Sequence, residues 1–173
     1  KWILTAAIFL AIASTGSAEP QAALRPSGNR AIEDTFHALY NFHFVKARNT
    51  IQFYIAKHPG DPLGYSVLAA VGLFQELDRL SILEGEFFKD DDKIKDKKKL
   101  KPDPVLRSEI YDNIAKAQRI ALSHLKRDAN DTNALFTMTM TEGMILDYMA
   151  LVEKRQAASL KYARSAQSYA VRT

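Results

Sequence analysis

Apolar residues recur at three- and four-residue steps through most of the chain beyond about residue 30, a spacing that predicts helices. In the first clear case Phe44, Ala47, Ile51, Tyr54 and Ile55 share one stripe. In the next, Tyr65, Leu68, Ala69, Gly72, Leu73 and Leu77 do the same. The breaker segment His58-Pro59-Gly60-Asp61-Pro62 separates the two. Asp61 is fit to cap the second helix, and Pro62 suits its first turn, where a missing N–H costs nothing. Such a hairpin buries one face of each helix against the other and leaves an outer apolar edge for a neighbour.

The pattern extends in both directions. A helix is expected from about Arg30 to Tyr40 with Ile32, Phe36, Leu39 and Tyr40 on its apolar side, then a tight turn at Asn41-Phe42-His43. The helix through Leu77 can continue towards Phe88. Asp103-Pro104 repeats the cap-plus-proline start and opens a helix carrying Ile110, Ile114, Ala117, Ala121 and Leu125 on one stripe. Asp131 or Thr132 can cap the following helix, whose inner side is read as Leu135, Met138, Thr139, Ile145 and Tyr148. From Glu153 to Arg172 a last helix offers Leu160, Ala163, Ala166, Tyr169 and Ala170 for packing.

Lys89 to Pro104, KDDDKIKDKKKLKPDP, has almost nothing to bury and reads as a charged linker between two halves. Its Asp90-Asp91-Asp92 run does not make a calcium loop. Ile94, Lys95 and Lys101 stand where an oxygen ligand, a glycine and a glutamate are needed.

The two halves align at one offset: Ala47 with Ala117, Ile51 with Ala121, Ile55 with Leu125, Asp61 with Asp131, and Tyr65 with Leu135, each 70 residues apart. Helix, loop and helix repeated at a fixed offset is the signature of a solenoid. The same residues resemble the tetratricopeptide repeat (TPR) family, with Ala47, Ile51 and Pro59 closing one unit and Tyr65, Leu68 and Ala69 opening the next. An offset of 70 is close to two such units of about 34 residues. Gly72 and Glu142 stand where the family prefers a large aromatic, and Ala129 replaces its proline.

The resemblance implies an all-α fold over residues 30–173, with antiparallel helix hairpins stacked as a TPR-like α-solenoid. Repeat packing then falls to Ala47, Ile51, Pro59, Tyr65, Leu68, Ala69, Ala117, Ala121 and Leu135. In that family the first helix of each unit lines a concave groove. Carried over, this gives Ser66, Ala70, Leu73 and Phe74 in the first half and Phe136, Met140 and Met144 in the second. Phenylalanine and methionine together make a pliable apolar surface suited to an extended peptide or a partner helix.

Composition narrows the setting. Only seven glycines and six prolines occur, mostly where helices start or stop, which favours one all-α domain over a many-turned β fold. Residues 1–18 read as a signal peptide: a positive start, an apolar run from Trp2 to Ala13, and the small residues Gly16-Ser17-Ala18. Cleavage after Ala18 leaves residues 19–29 as a linker. The apolar run is shorter than the roughly 20 residues that span a bilayer. A periplasmic or secreted location is expected, with membrane contact only if the signal is retained as an anchor. With Lys1 in place of an initiator Met, the first residue or residues of the natural chain are expected to be missing, and Thr173 follows the last helix without a stop signal. No cysteine is present, which excludes disulfides, thiolate metal sites and a cysteine nucleophile. In a bacterial setting the sequon Asn130-Asp131-Thr132 means no more than a helix cap. The net charge of +4 is mild and much of it sits in the lysine segment, so nucleic acid is not expected.

Catalytic material is sparse. His37, His43, His58 and His124 form no pair at i, i+4 spacing, and no phosphate loop or nucleophile elbow occurs, so no metal, cofactor or enzyme activity is expected. Glu142 falls within an apolar helix pattern and is read as the partner of Lys154, Arg155 or Lys161. The leading reading is an exported scaffold that binds a protein or peptide in the cell envelope. The alternatives are an envelope hydrolase using paired carboxylates around Glu142 and a membrane-tethered assembly protein.

Overall fold

The structure, a computed structural model, describes residues 27–83 and 101–173. The leader at 1–18, most of the linker at 19–29 and most of the charged segment lie outside the described residues. Six α-helices and no strand occur among the described residues. They are α1 Ser27–Tyr40, α2 Phe44–Lys57, α3 Pro62–Arg79, α4 Pro104–Leu125, α5 Thr132–Asp147 and α6 Gln156–Ala170. α1 takes in the last three residues of the expected linker.

The breaker chemistry works as the sequence implies. Asp61, Asp103 and Asp131 are N-caps whose carboxylates accept backbone N–H groups: Leu63 N at 3.0 Å, Val105 N at 2.7 Å and Ala134 N at 2.9 Å. Pro62 and Pro104 follow in the first turn. The turn between α1 and α2 is closed by Phe42 N to Leu39 O (2.9 Å) and His43 N to Ala38 O (2.8 Å).

α3 is the hub. It is apolar nearly all round, and Gly64 to Leu73 is buried without interruption, as expected of a helix surrounded by others. It packs against α1, α2, α4 and α5. The helices are stacked in pairs, α1 with α2, α3 with α4 and α5 with α6. Between pairs α2 meets α3 and α4 meets α5, while α1 meets α3 and α3 meets α5. The starts of α1 and α3 are separated by 35 residues (62 − 27) and those of α3 and α5 by 70 (132 − 62). The offset of 70 is therefore one pair step lengthened by the segment between α3 and α4, not two equal units.

Several boundaries and faces differ from expectation for local reasons. α3 stops at Arg79, where Ser81 takes a left-handed φ of 54° and donates its N–H to Asp78 O, so the helix does not run on to Phe88. Tyr40 turns outward; Thr35, Ala38 and Leu39 form the buried side of α1. Thr139 is half-buried, its hydroxyl returned to Leu135 O. α5 runs on into a single π-helical turn, Tyr148–Val152, marked by Glu153 N to Tyr148 O at 3.0 Å. The longer turn shifts the register of the next helix. In α6 the inward stripe is Ser159, Tyr162, Ala163, Ala166 and Tyr169, while Leu160 and Ala170 face solvent.

Close approach explains Gly72. A Cβ built there would sit 2.9 Å from Cγ1 of Ile110, a fully buried residue of α4. The glycine lets α4 press against α3 where a large aromatic would hold it off.

Candidate binding surfaces

The seven residues expected to line a groove do not share one environment. Ser66, Ala70 and Leu73 on α3 and Met140 and Met144 on α5 are buried. The Ser66 hydroxyl lies 3.6 Å from the Met140 sulfur, so these faces form the seam between α3 and α5 rather than an open channel. Successive first helices pack side by side here, and their facing sides close on one another. Phe74 is half-buried against the same core, and Phe136 alone of the seven is exposed, at 49%. Of the residues assigned to repeat packing, Ala47, Ile51, Tyr65, Leu68, Ala69, Ala117, Ala121 and Leu135 are buried. Pro59 sits exposed in the turn, its carbonyl accepting the Tyr65 hydroxyl at 3.3 Å.

Glu142 is half-buried and held by neighbours. Gln118 Nε2 donates to it at 3.2 Å, and Ser165 and Lys161 of α6 lie close enough to favour its charged form. Burial outweighs them and raises its pKa. From the final helix Ser165 acts on Glu142 more strongly than Lys161, whose Nζ lies over the Tyr162 ring.

A second carboxylate cluster closes the chain around its undescribed middle. Glu76 is fully buried and takes Arg79 Nε at 2.7 Å and Nη2 at 3.0 Å, with Asp103 N at 2.8 Å. Arg79 also donates to Lys101 O at 2.6 Å. These bonds join the end of α3 to the start of α4. Nearby, the Tyr148 hydroxyl is buried with no hydrogen-bond partner among the described residues, and burial and the Glu76 charge push its pKa up to about 12. The π-helical turn that begins at Tyr148 gives no sign of itself in the 3.6-residue pattern.

The histidines do not converge. His37, His43 and His58 are exposed, His58 lying against the Tyr54 ring at 4.6 Å between centroids. His124 Nδ1 is 3.3 Å from Asp131 Oδ2. Among the described residues no three His, Asp or Glu side chains are grouped to hold a metal ion.

Outside the expected set, four exposed apolar side chains fall at the α1–α2 corner and along α2. Tyr40 is 68% exposed, Phe42 55%, Val45 76% and Phe53 64%. An open depression of about 720 Å³ runs beside them, lined by Phe42, His43, Phe44, Lys46, Asn49 and Gln75 among others. The sequence carries one signal for this surface: from Thr35 to Gly60 there is no aspartate or glutamate.

Comparison of the chain with protein-family models, curated proteins and solved structures finds no match in any of the three.

Proposed function

We propose that the chain is an exported, TPR-like helical-repeat scaffold that binds a protein or peptide partner in the cell envelope. The observation that carries this reading is the order of packing. Three successive helix pairs follow one another, with their first helices α1, α3 and α5 in line. Quasi-one-dimensional stacking of this kind presents extended surface to partners. The repeated aspartate caps at Asp61 and Asp131 support the equivalence of the second and third pairs. Export rests on the charge, apolar run and small residues of positions 1–18.

Closure of the α3–α5 seam moves the binding surface away from Met140 and Met144 and onto the open side of α5, where Phe136 stands out. A protruding aromatic can anchor a partner when its ring is desolvated on contact. The test is photocrosslinking in the envelope of the native host. A photoreactive phenylalanine at Phe136 should yield a discrete protein adduct, and the same group at exposed Gln167 of α6 should not. Equal yields at both sites, or none at Phe136, would remove Phe136 from the account.

A further inference from the structure

The outward face of α2 is uniform in a way that packing does not require. Val45, Lys46, Asn49, Gln52, Phe53, Ala56 and Lys57 are all exposed and share one side of the helix, while Ala47, Ile51 and Tyr54 are buried on the other. This side spans about 18 Å along the axis. It carries two large apolar groups, two lysines and two amides, with no carboxylate. The carboxylates that α2 does engage, Glu109 and Asp61, are met by Arg48 and Tyr54, neither of which belongs to this face. Lys57 lies over the Phe53 ring, 4.1 Å from its centroid, so charge and aromatic surface are presented together.

Phe42 extends the face at its N-terminal corner. Its φ of 57° is in the left-handed region, where a bulky residue is strained and glycine or asparagine would cost less. Its ring meets Phe44 edge-on at 6.1 Å yet stays 55% exposed. Neither backbone preference nor burial explains a phenylalanine there. Tyr40 and His43 are exposed beside it.

We propose that this face, Tyr40, Phe42, Val45, Lys46, Phe53 and Lys57, docks on an anionic lipid bilayer. Exposed aromatic rings interleaved with lysines, without acids, match an interface whose outer layer is negative and whose inner layer is apolar. Phe42, Val45 and Lys46 border the open depression, while Tyr40 and Phe53 stand outside it, so the apolar groups spread over a helix and a turn beyond any single groove, which suits a broad surface better than a narrow peptide. No helix among the described residues is long and apolar enough to cross a membrane, so α2 lies along the surface. This contact is separate from partner binding at Phe136.

The test is flotation of the full chain with phosphatidylcholine vesicles, with and without phosphatidylglycerol, at low and high salt. The apolar run and the lysine segment are common to every variant, so differences report the face alone. Lys46→Glu with Lys57→Glu should lower binding to phosphatidylglycerol vesicles at least about tenfold, and Phe42→Ser with Phe53→Ser several-fold. The control pairs, Lys126→Glu with Arg127→Glu and Leu160→Ser with Val171→Ser, should bind as the parent does. Circular dichroism and melting should be unchanged throughout, because all eight side chains are exposed. Phe42→Gly, which relieves the backbone, keeps the test valid if the serine variant folds poorly. Binding that ignores phosphatidylglycerol, control pairs that lose as much as the face pairs, or capture of soluble polyglutamate in place of vesicles would each overturn the proposal.

Discussion

His124 Nδ1 lies 3.3 Å from Asp131 Oδ2, and one pair earlier the Tyr54 hydroxyl donates to Oδ2 of Asp61. Tyr54 and His124 are 70 residues apart, as are the two aspartates. In each case one carboxylate oxygen caps the following helix and the other meets a ring from the end of the preceding one. Asp61 also accepts Asn133 Nδ2 at 2.8 Å, which ties the starts of α3 and α5 together. Asp131→Ala should cost about 0.5–2 kcal/mol, the usual range for a lost cap. Asp61→Ala should cost more, because Tyr54 and Asn133 lose their acceptor as well. Urea unfolding of both variants checks the order.

Gly72 and Gly60 should respond oppositely to alanine. At Gly72 the new methyl meets Ile110 close to its backbone, in a fully buried position that cannot yield. Overpacking should outweigh the gain in helix propensity and destabilise by roughly 1–3 kcal/mol. At Gly60 nothing lies within 4 Å and φ is not positive, so alanine should be neutral or stabilise by up to about 1 kcal/mol. Thermal melts of the two variants read the contrast directly.

Arg79→Ala should be among the most damaging changes in the chain. Among the described residues it leaves the fully buried Glu76 carboxylate with the Asp103 N–H alone, and uncompensated buried charge costs about 3 kcal/mol or more. Arg79→Lys should recover part of the loss, since an ammonium restores the charge without the two-pronged geometry. Chemical denaturation of both variants is the check.

Asp147 gives the protein a signed pH dependence. Burial raises its pKa from 3.8 to about 6. The folded state therefore holds the proton more tightly than the unfolded chain. Its stabilising contribution is whole below about pH 4 and is lost as pH rises towards 6 and beyond, by an amount on the order of 1–3 kcal/mol. Asp147→Asn should raise the melting temperature at pH 7 and flatten the profile between pH 4 and 7. An unchanged profile would place the carboxylate in water.

The sequence made the helices legible because their punctuation is chemical and local. Asp61-Pro62 and Asp103-Pro104 are caps that work without tertiary help, and α2 and α4 carry single apolar stripes that name their own buried sides. Periodicity failed where a helix has no polar side to orient it. α3 is buried nearly all round, so Ser66, Ala70 and Leu73 could be assigned to a groove although they face α5. The register of α6 was lost at the π-helical turn, which adds to the turn length without changing residue type. The α2 face was hidden for another reason. The stripe Ala47, Ile51 and Tyr54 was legible, but periodicity does not tell whether Val45 and Phe53 on the other side are covered by a neighbouring helix or left in the open.

The central claim is that partner binding and core packing use different residues of α5. The decisive measurement is the affinity of the Phe136-crosslinked partner for the parent, Phe136→Ala and Met140→Ala proteins, taken with the melting temperature of each. A central aromatic anchor is worth about 2 kcal/mol or more, roughly thirtyfold in affinity. Phe136→Ala should weaken binding on that scale and leave the melting temperature within a degree or so, because its ring is half in water. Met140→Ala should lower stability by about 2–5 kcal/mol, as loss of a buried methionine does, and leave the affinity of the folded fraction nearly unchanged. Full-strength binding by Phe136→Ala, or loss of binding by Met140→Ala without loss of stability, would contradict the account.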